Sequence, residues 1–139
     1  MKLIYNKKEV NKMDNYLQKL NINEKLKKEI NSYRENYPVS HELLYRIPKP
    51  DNLYYGDEIW NQAVTALLCG ENILLVGHKA TGKNIFAENL AAAFGRPKWD
   101  ISFHVNMDAA SLIGMDTFRN GEVTFRPGPV YSAANSGRF

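Results

Sequence analysis

With 139 residues, 44% of them hydrophobic and 24% charged, the chain has the size and balance of one ordinary globular domain. No apolar run approaches the ~20 residues that span a bilayer, and Met1-Lys2-Leu3-Ile4-Tyr5-Asn6-Lys7 is too polar for a signal peptide, so no membrane partner is expected and the expected location is cytoplasmic. The single cysteine, Cys69, excludes an intramolecular disulfide and is expected as a buried thiol near a helix end; His41, His78 and His104 lack metal-ligand spacing, and no G-x-S-x-G occurs, so zinc and serine-nucleophile chemistry have no support.

Charge divides the chain unevenly. Residues 1–50 hold eleven Lys/Arg against six Asp/Glu, and residues 51–139 hold seven against nine, within a net charge of +3. From about Lys8 to Tyr37, Leu17, Leu20, Ile22, Leu26, Ile30 and Tyr33 are spaced as in one amphipathic helix, or two broken near Asn21-Ile22-Asn23. Glu24, Glu29 and Glu35 interrupt the positive face, which therefore reads as a solvated helix surface; contact with nucleic acid through the lysines and Tyr16, Tyr33 and Tyr37 is the alternative. Pro38, Pro48 and Pro50 stop any continuous helix, and the boundary between a basic helical extension (1–50) and a second region (51–139) falls between Ile47 and Asn52.

Asp57 starts a predicted helix whose apolar positions Ile59, Trp60, Ala63, Val64, Leu67 and Leu68 follow the helical period, with Gly70 ending it. Asn72-Ile73-Leu74-Leu75-Val76 is a short apolar run of the kind shown by a strand buried on both faces. It leads into Gly77-His78-Lys79-Ala80-Thr81-Gly82-Lys83-Asn84, which fits the phosphate-cradling G-x-x-x-x-G-K pattern. Gly77 and Gly82 allow a bend and close approach without a Cβ, so the amides of His78, Lys79, Ala80 and Thr81, together with the positive end of the following helix, can face an anion. Lys83 then reaches the outer phosphates. Asn84 stands where the pattern wants Ser or Thr. Its neutral amide oxygen lies one bond further out than a hydroxyl, a poor match to the strict octahedron of Mg²⁺, so the cradle is expected to be intact and the metal grip weak.

Ile85, Phe86, Leu90, Ala93 and Phe94 mark one face of the next helix, which Gly95 and Pro97 stop. Trp99, Ile101, Phe103 and Val105 alternate with Asp100, Ser102 and His104, as in a second strand. Asp108 caps a short helix through Leu112, followed by Gly114. Between Thr117 and Phe125, Asn120-Gly121 is a strong hairpin signal; Arg126-Pro127-Gly128-Pro129 closes the hairpin, and Val130 to Asn135 begin another helix.

From Tyr54 to Phe139 this order of elements resembles the front half of an AAA+ ATPase core, in detail the MoxR-like and dynein-related groups. The resemblance rests on Asn72-Ile73-Leu74-Leu75-Val76-Gly77 entering the cradle, on Asp108-Ala109-Ala110-Ser111-Leu112-Ile113-Gly114, and on Phe125-Arg126-Pro127-Gly128-Pro129-Val130 after a hairpin. It implies an α/β P-loop NTPase fold that takes ATP and Mg²⁺, sets Tyr55 and Gly56 near the adenine, and assembles copies into rings, commonly hexameric, that remodel client proteins. In that family the acidic metal-binding pair comes with the third strand, and the sensors, the arginine finger and the helical lid follow. The core is therefore read as truncated before that strand, no catalytic residue is assigned in this chain, and hydrolysis by it alone is expected to be poor. The family's sheet also sets two further strands between the two read here, which would leave Ile73 to Val76 uncovered. Two functions of different class follow. One is an ATP-binding module with the phosphates held by Gly77 to Asn84 and the hairpin Thr117 to Phe125 facing a partner or pore. The other is a non-catalytic interaction protein that keeps only the shape of the loop and binds protein or nucleic acid through its N-terminal helices.

Overall fold

The computed structural model describes residues 15–136; the start of the predicted N-terminal extension and the last three residues lie outside them. The chain forms two compact units, one up to Pro97 and one from Lys98.

In the first unit the predicted break near Asn21-Ile22-Asn23 is present. Residues 15–19 are helical, and helix α1 (Glu24–Asn36) starts anew because the Asn23 side chain accepts from Lys25 N at 2.9 Å. A 3₁₀ helix (His41–Arg46) lies between Pro38 and Pro48. Helix α2 (Asp57–Leu68) and helix α3 (Lys83–Phe94) end in the same way. At α2, Gly70 N bonds Leu67 O and Glu71 N bonds Ala66 O; at α3, Gly95 N bonds Ala92 O and Arg96 N bonds Ala91 O. Both are Schellman closures, and each needs a left-handed residue, supplied by Gly70 (φ +80°) and Gly95 (φ +62°). Cys69 occupies the cap of α2 just past the core-facing turn, so it is exposed, not buried.

One core joins these helices. Leu17, Leu20, Ile22 and Ile30 pack with Trp60 and Val64 of α2 and with Phe86, Leu90, Ala93 and Phe94 of α3. Trp60 meets Phe86 edge-on at 5.1 Å and Tyr33 meets Phe94 edge-on at 5.3 Å, arrangements that suit the ring quadrupoles. The Arg34 guanidinium also bonds the carbonyl of Ala93, and Arg96 bonds that of Tyr37 at 3.0 Å. The N-terminal helices are therefore built onto the helix that follows the glycine loop.

Neither predicted strand forms a ladder. Residues 71–78 form neither helix nor strand, and among the described residues the one sheet is the hairpin of the second unit. Ile73 and Leu75 pack against the core while Leu74 and Val76 are 87% and 84% exposed, so the run is covered on one face instead of two. A strand is defined by its neighbour, and without one the pattern of apolar residues does not by itself make a ladder. The segment 99–105 forms no strand either: Trp99 and Ile101 are half-buried, Phe103 and Val105 are exposed, and the chain turns at Val105-Asn106, where Met107 N donates to His104 O at 3.0 Å.

In the second unit, Asp108 caps helix α4 (Ala109–Ile113), accepting from Ser111 N at 2.8 Å and Ser111 Oγ at 2.6 Å. Those two bonds stabilise the carboxylate and hold its pKa below the ordinary value. Strand β1 (Gly114–Arg119) pairs antiparallel with β2 (Glu122–Pro127), with Thr117 opposite Thr124 and Phe118 opposite Val123. The turn falls on Asn120 (φ +53°) and Gly121 (φ +86°), the pair of left-handed residues that a tight two-residue hairpin requires. Helix α5 (Pro129–Ser136) follows with proline at its first position, and Phe125 packs edge-on against Tyr131 at 5.2 Å.

Candidate phosphate-binding site

The segment 71–78 delivers the chain to the loop, and α3 leaves it. Lys79 and Ala80 make a turn in which Ala80 takes φ +63°, and Gly82 takes φ +79° and ψ 15° immediately before Lys83 opens the helix. Two left-handed residues one apart fold the loop back on itself. Lys83 Nζ donates to Gly77 O at 2.7 Å and to His78 O, and lies 3.3 Å from Thr81 Oγ1, which itself donates to His78 O at 2.9 Å. The ammonium is thus centred on the loop that the glycines bound.

The two glycines differ in what they permit. A Cβ on Gly77 would meet Thr81 Oγ1 at 3.4 Å, an ordinary contact, whereas Gly82 combines its left-handed φ with the Tyr54 ring 3.2 Å away. No side chain caps α3 and its first turn carries no acid, while Phe86 N is taken by Gly82 O at 2.8 Å. The amides preceding Phe86, the positive end of α3, and the Lys83 ammonium give this loop the donor set that suits a phosphate. His78 and Lys79 are exposed, at positions where the pattern uses only the backbone. Asn84 is exposed on the first turn, and among the described residues no group of three or more His, Cys, Asp or Glu could hold a metal ion.

Tyr55 is exposed and Gly56 (φ +146°) precedes α2. They are tied to the loop through Tyr54, whose ring packs on Phe86 at 4.7 Å and against Gly82. Sequence reasoning missed Asn89. It is fully buried on the face of α3 read as purely apolar, and the signal was there: a carboxamide among Ile85, Phe86 and Leu90 has to be satisfied inside the core. Its Nδ2 donates to Ile85 O at 2.8 Å and Asn52 O at 3.0 Å, and its Oδ1 accepts from the Tyr16 hydroxyl at 2.6 Å and from Tyr54 N at 3.2 Å. Burial, with a smaller contribution from Glu88, pushes the Tyr16 phenol above its ordinary value of 10.0.

An apolar run, a loop bounded by Gly77 and Gly82 and a helix opening on lysine follow one another in the order of the P-loop NTPase class. Residues 72–139 match the AAA domain of the dynein-related subfamily. It is 34% identical over 131 residues to the uncharacterized protein YojN of Bacillus subtilis, covering 91% of this chain and 43% of that one. It is 35% identical over 93 residues to protein NorQ of Paracoccus denitrificans, covering 66% of this chain and 33% of NorQ. An uncharacterized protein of Staphylococcus saprophyticus is 36% identical over 88 residues, 60% of this chain and 34% of its own. The chain therefore spans less than half the length of these relatives. No solved structure matches it.

Proposed function

We propose that this chain is the ATP-binding module of a MoxR-like AAA+ ATPase, with Gly77 to Asn84 holding the triphosphate. The observation that carries the reading is the Lys83 ammonium drawn over a left-handed glycine loop at the uncapped start of α3, in a chain that matches the AAA domain. On binding, Lys83 exchanges the carbonyls of Gly77 and His78 for phosphate oxygens, and these charge-assisted bonds are stronger than the ones it leaves. The loop amides and the α3 dipole neutralise the remaining charge. Tyr55 and Gly56 lie on the base side. Bound ATP with Mg²⁺ supplies the phosphoanhydride that the family couples to work. Asn84 offers the metal a neutral oxygen in place of a hydroxyl, so binding to this chain depends weakly on Mg²⁺.

The assembly we propose for the full-length protein is a homo-oligomeric ring acting on a client protein. The hairpin β1–β2 is its contact surface, since it carries Phe118 and Val123 opposite one another and exposed. Titration with a fluorescent ATP analogue tests the nucleotide reading. Saturable binding by the wild type and its loss in Lys83→Ala support it; equal failure of both proteins overturns it in favour of an interaction protein that keeps only the loop's shape.

A further inference from the structure

We infer that Asn89 is a positioning residue that sets the base side of the nucleotide site, and that Tyr16 carries the same constraint into the N-terminal helices; the inference rests on the nucleotide reading above. A carboxamide has two donor hydrogens and two acceptor positions, and Asn89 uses all four. Only one of the bonds, to Ile85 O, stays within its own helix. The others reach Asn52 O, Tyr54 N and the Tyr16 hydroxyl, so a single side chain fastens both the 52–54 strap and the N-terminal helical segment to α3.

The strap matters because of where it leads. The peptide groups flanking Tyr54 are gripped at both ends, its N–H by Asn89 Oδ1 and its carbonyl by Trp60 Nε1 at 2.9 Å. Its ring is thereby laid over Phe86 and against Gly82, the last residue of the loop before Lys83. Tyr55 and Gly56 follow at once. An apolar residue at position 89 would fill the same core space without the cost of burying an amide, but it would release the strap. The phosphate loop itself makes no bond to Asn89: its closure comes from Lys83, Thr81 and the backbone of 77–82. Asn89 therefore acts mainly on recognition of the nucleoside part, and reaches the phosphate loop only through the contact of the Tyr54 ring with Gly82.

Calorimetric titration of the full chain with ATP and, separately, with inorganic tripolyphosphate distinguishes these contributions. Asn89→Leu is expected to weaken ATP about tenfold and tripolyphosphate by less than about twofold, the scale of one or two lost buried hydrogen bonds. Tyr16→Phe removes one donor and leaves Asn89 in place; it is expected to weaken ATP about threefold with tripolyphosphate unchanged. If Asn89→Leu does not fold, Tyr16→Phe alone decides. Equal losses for the two ligands, or an unchanged ATP-to-tripolyphosphate ratio in a wild type and variants that all bind, overturn this inference while leaving the nucleotide reading standing. A wild type that binds neither ligand overturns both.

Discussion

The ring of Tyr54 closes the space over Gly82: a Cβ there would sit 3.2 Å from Tyr54 Cε2 on a backbone already in the left-handed region at φ +79°. Gly82→Ala is accordingly expected to cost about 1–3 kcal/mol of stability, from conformational strain with a smaller steric contribution. Gly77→Ala has an ordinary 3.4 Å contact and no left-handed φ, so its expected cost is below about 1 kcal/mol. Urea denaturation of both variants gives the comparison, and equal costs would refute the assignment of the tight position to Gly82.

Asn84 makes a separate prediction. Asn84→Thr restores the hydroxyl that the G-x-x-x-x-G-K pattern normally presents to Mg²⁺, on the exposed first turn where the change disturbs no packing. The ratio of ATP affinity with Mg²⁺ to that without it is expected to rise by at least about threefold, with affinity in the absence of metal unchanged, on the scale of one gained metal contact. A ratio that does not move would show that residue 84 is not turned toward the metal.

Features with a local cause were legible in the sequence. Asn120-Gly121 needed no partner beyond its own strands, and Gly70 and Gly95 close their helices with their own carbonyls, so each appears where its pattern put it. The loop was legible in part: Gly82 takes the left-handed bend that its pattern called for, and Lys83 closes the loop six residues from Gly77. What depended on distant chain was not. Ile73 to Val76 has the composition of a buried strand, but a ladder is made by a neighbour; the run's own periodicity says nothing of one, and only the family's strand order led to the expectation that it would lie uncovered. Asn89 was missed because three of its four partners lie 35 to 73 residues away, where periodicity within one helix carries no information. Ala80 in the left-handed region was unforeseen too, since alanine carries no mark of it.

The base of the hairpin gives a prediction confined to the second unit. Gly128 N donates to Ile113 O at 2.8 Å, and a Cβ on Gly128 would stand 2.3 Å from the carbonyl oxygen of Leu112. That atom belongs to the backbone of α4, so it cannot rotate out of the way. Gly128→Ala is expected to break the junction between α4 and β2, at about 2 kcal/mol or more. Hydrogen exchange reads this directly, with protection at the paired amides of β1 and β2 reduced and that of α3 unchanged; full protection at the hairpin would contradict it.

The Tyr16 hydroxyl ties the N-terminal segment to α3, and its ionisation sets an alkaline limit on that tie. Burial first, and the Glu88 carboxylate second, raise the phenol above its ordinary 10.0, so the folded protein favours the neutral form more than the unfolded chain does. A pKa raised in the folded state adds stability that is complete below the unfolded value and declines as pH climbs from there through the folded one. In this protein the decline begins near pH 10, where the unfolded tyrosine ionises and the folded one does not. Tyr16→Phe removes both the bond to Asn89 and the titration. At about pH 8 the variant is expected to be less stable than wild type by about 1 kcal/mol, the usual worth of one hydrogen bond. At about pH 11 the gap should narrow, because wild type alone loses this contribution. Urea midpoints of the two proteins at these two pH values measure the gap, and a gap that stays constant would mean that Tyr16 keeps no protonation preference in the folded state.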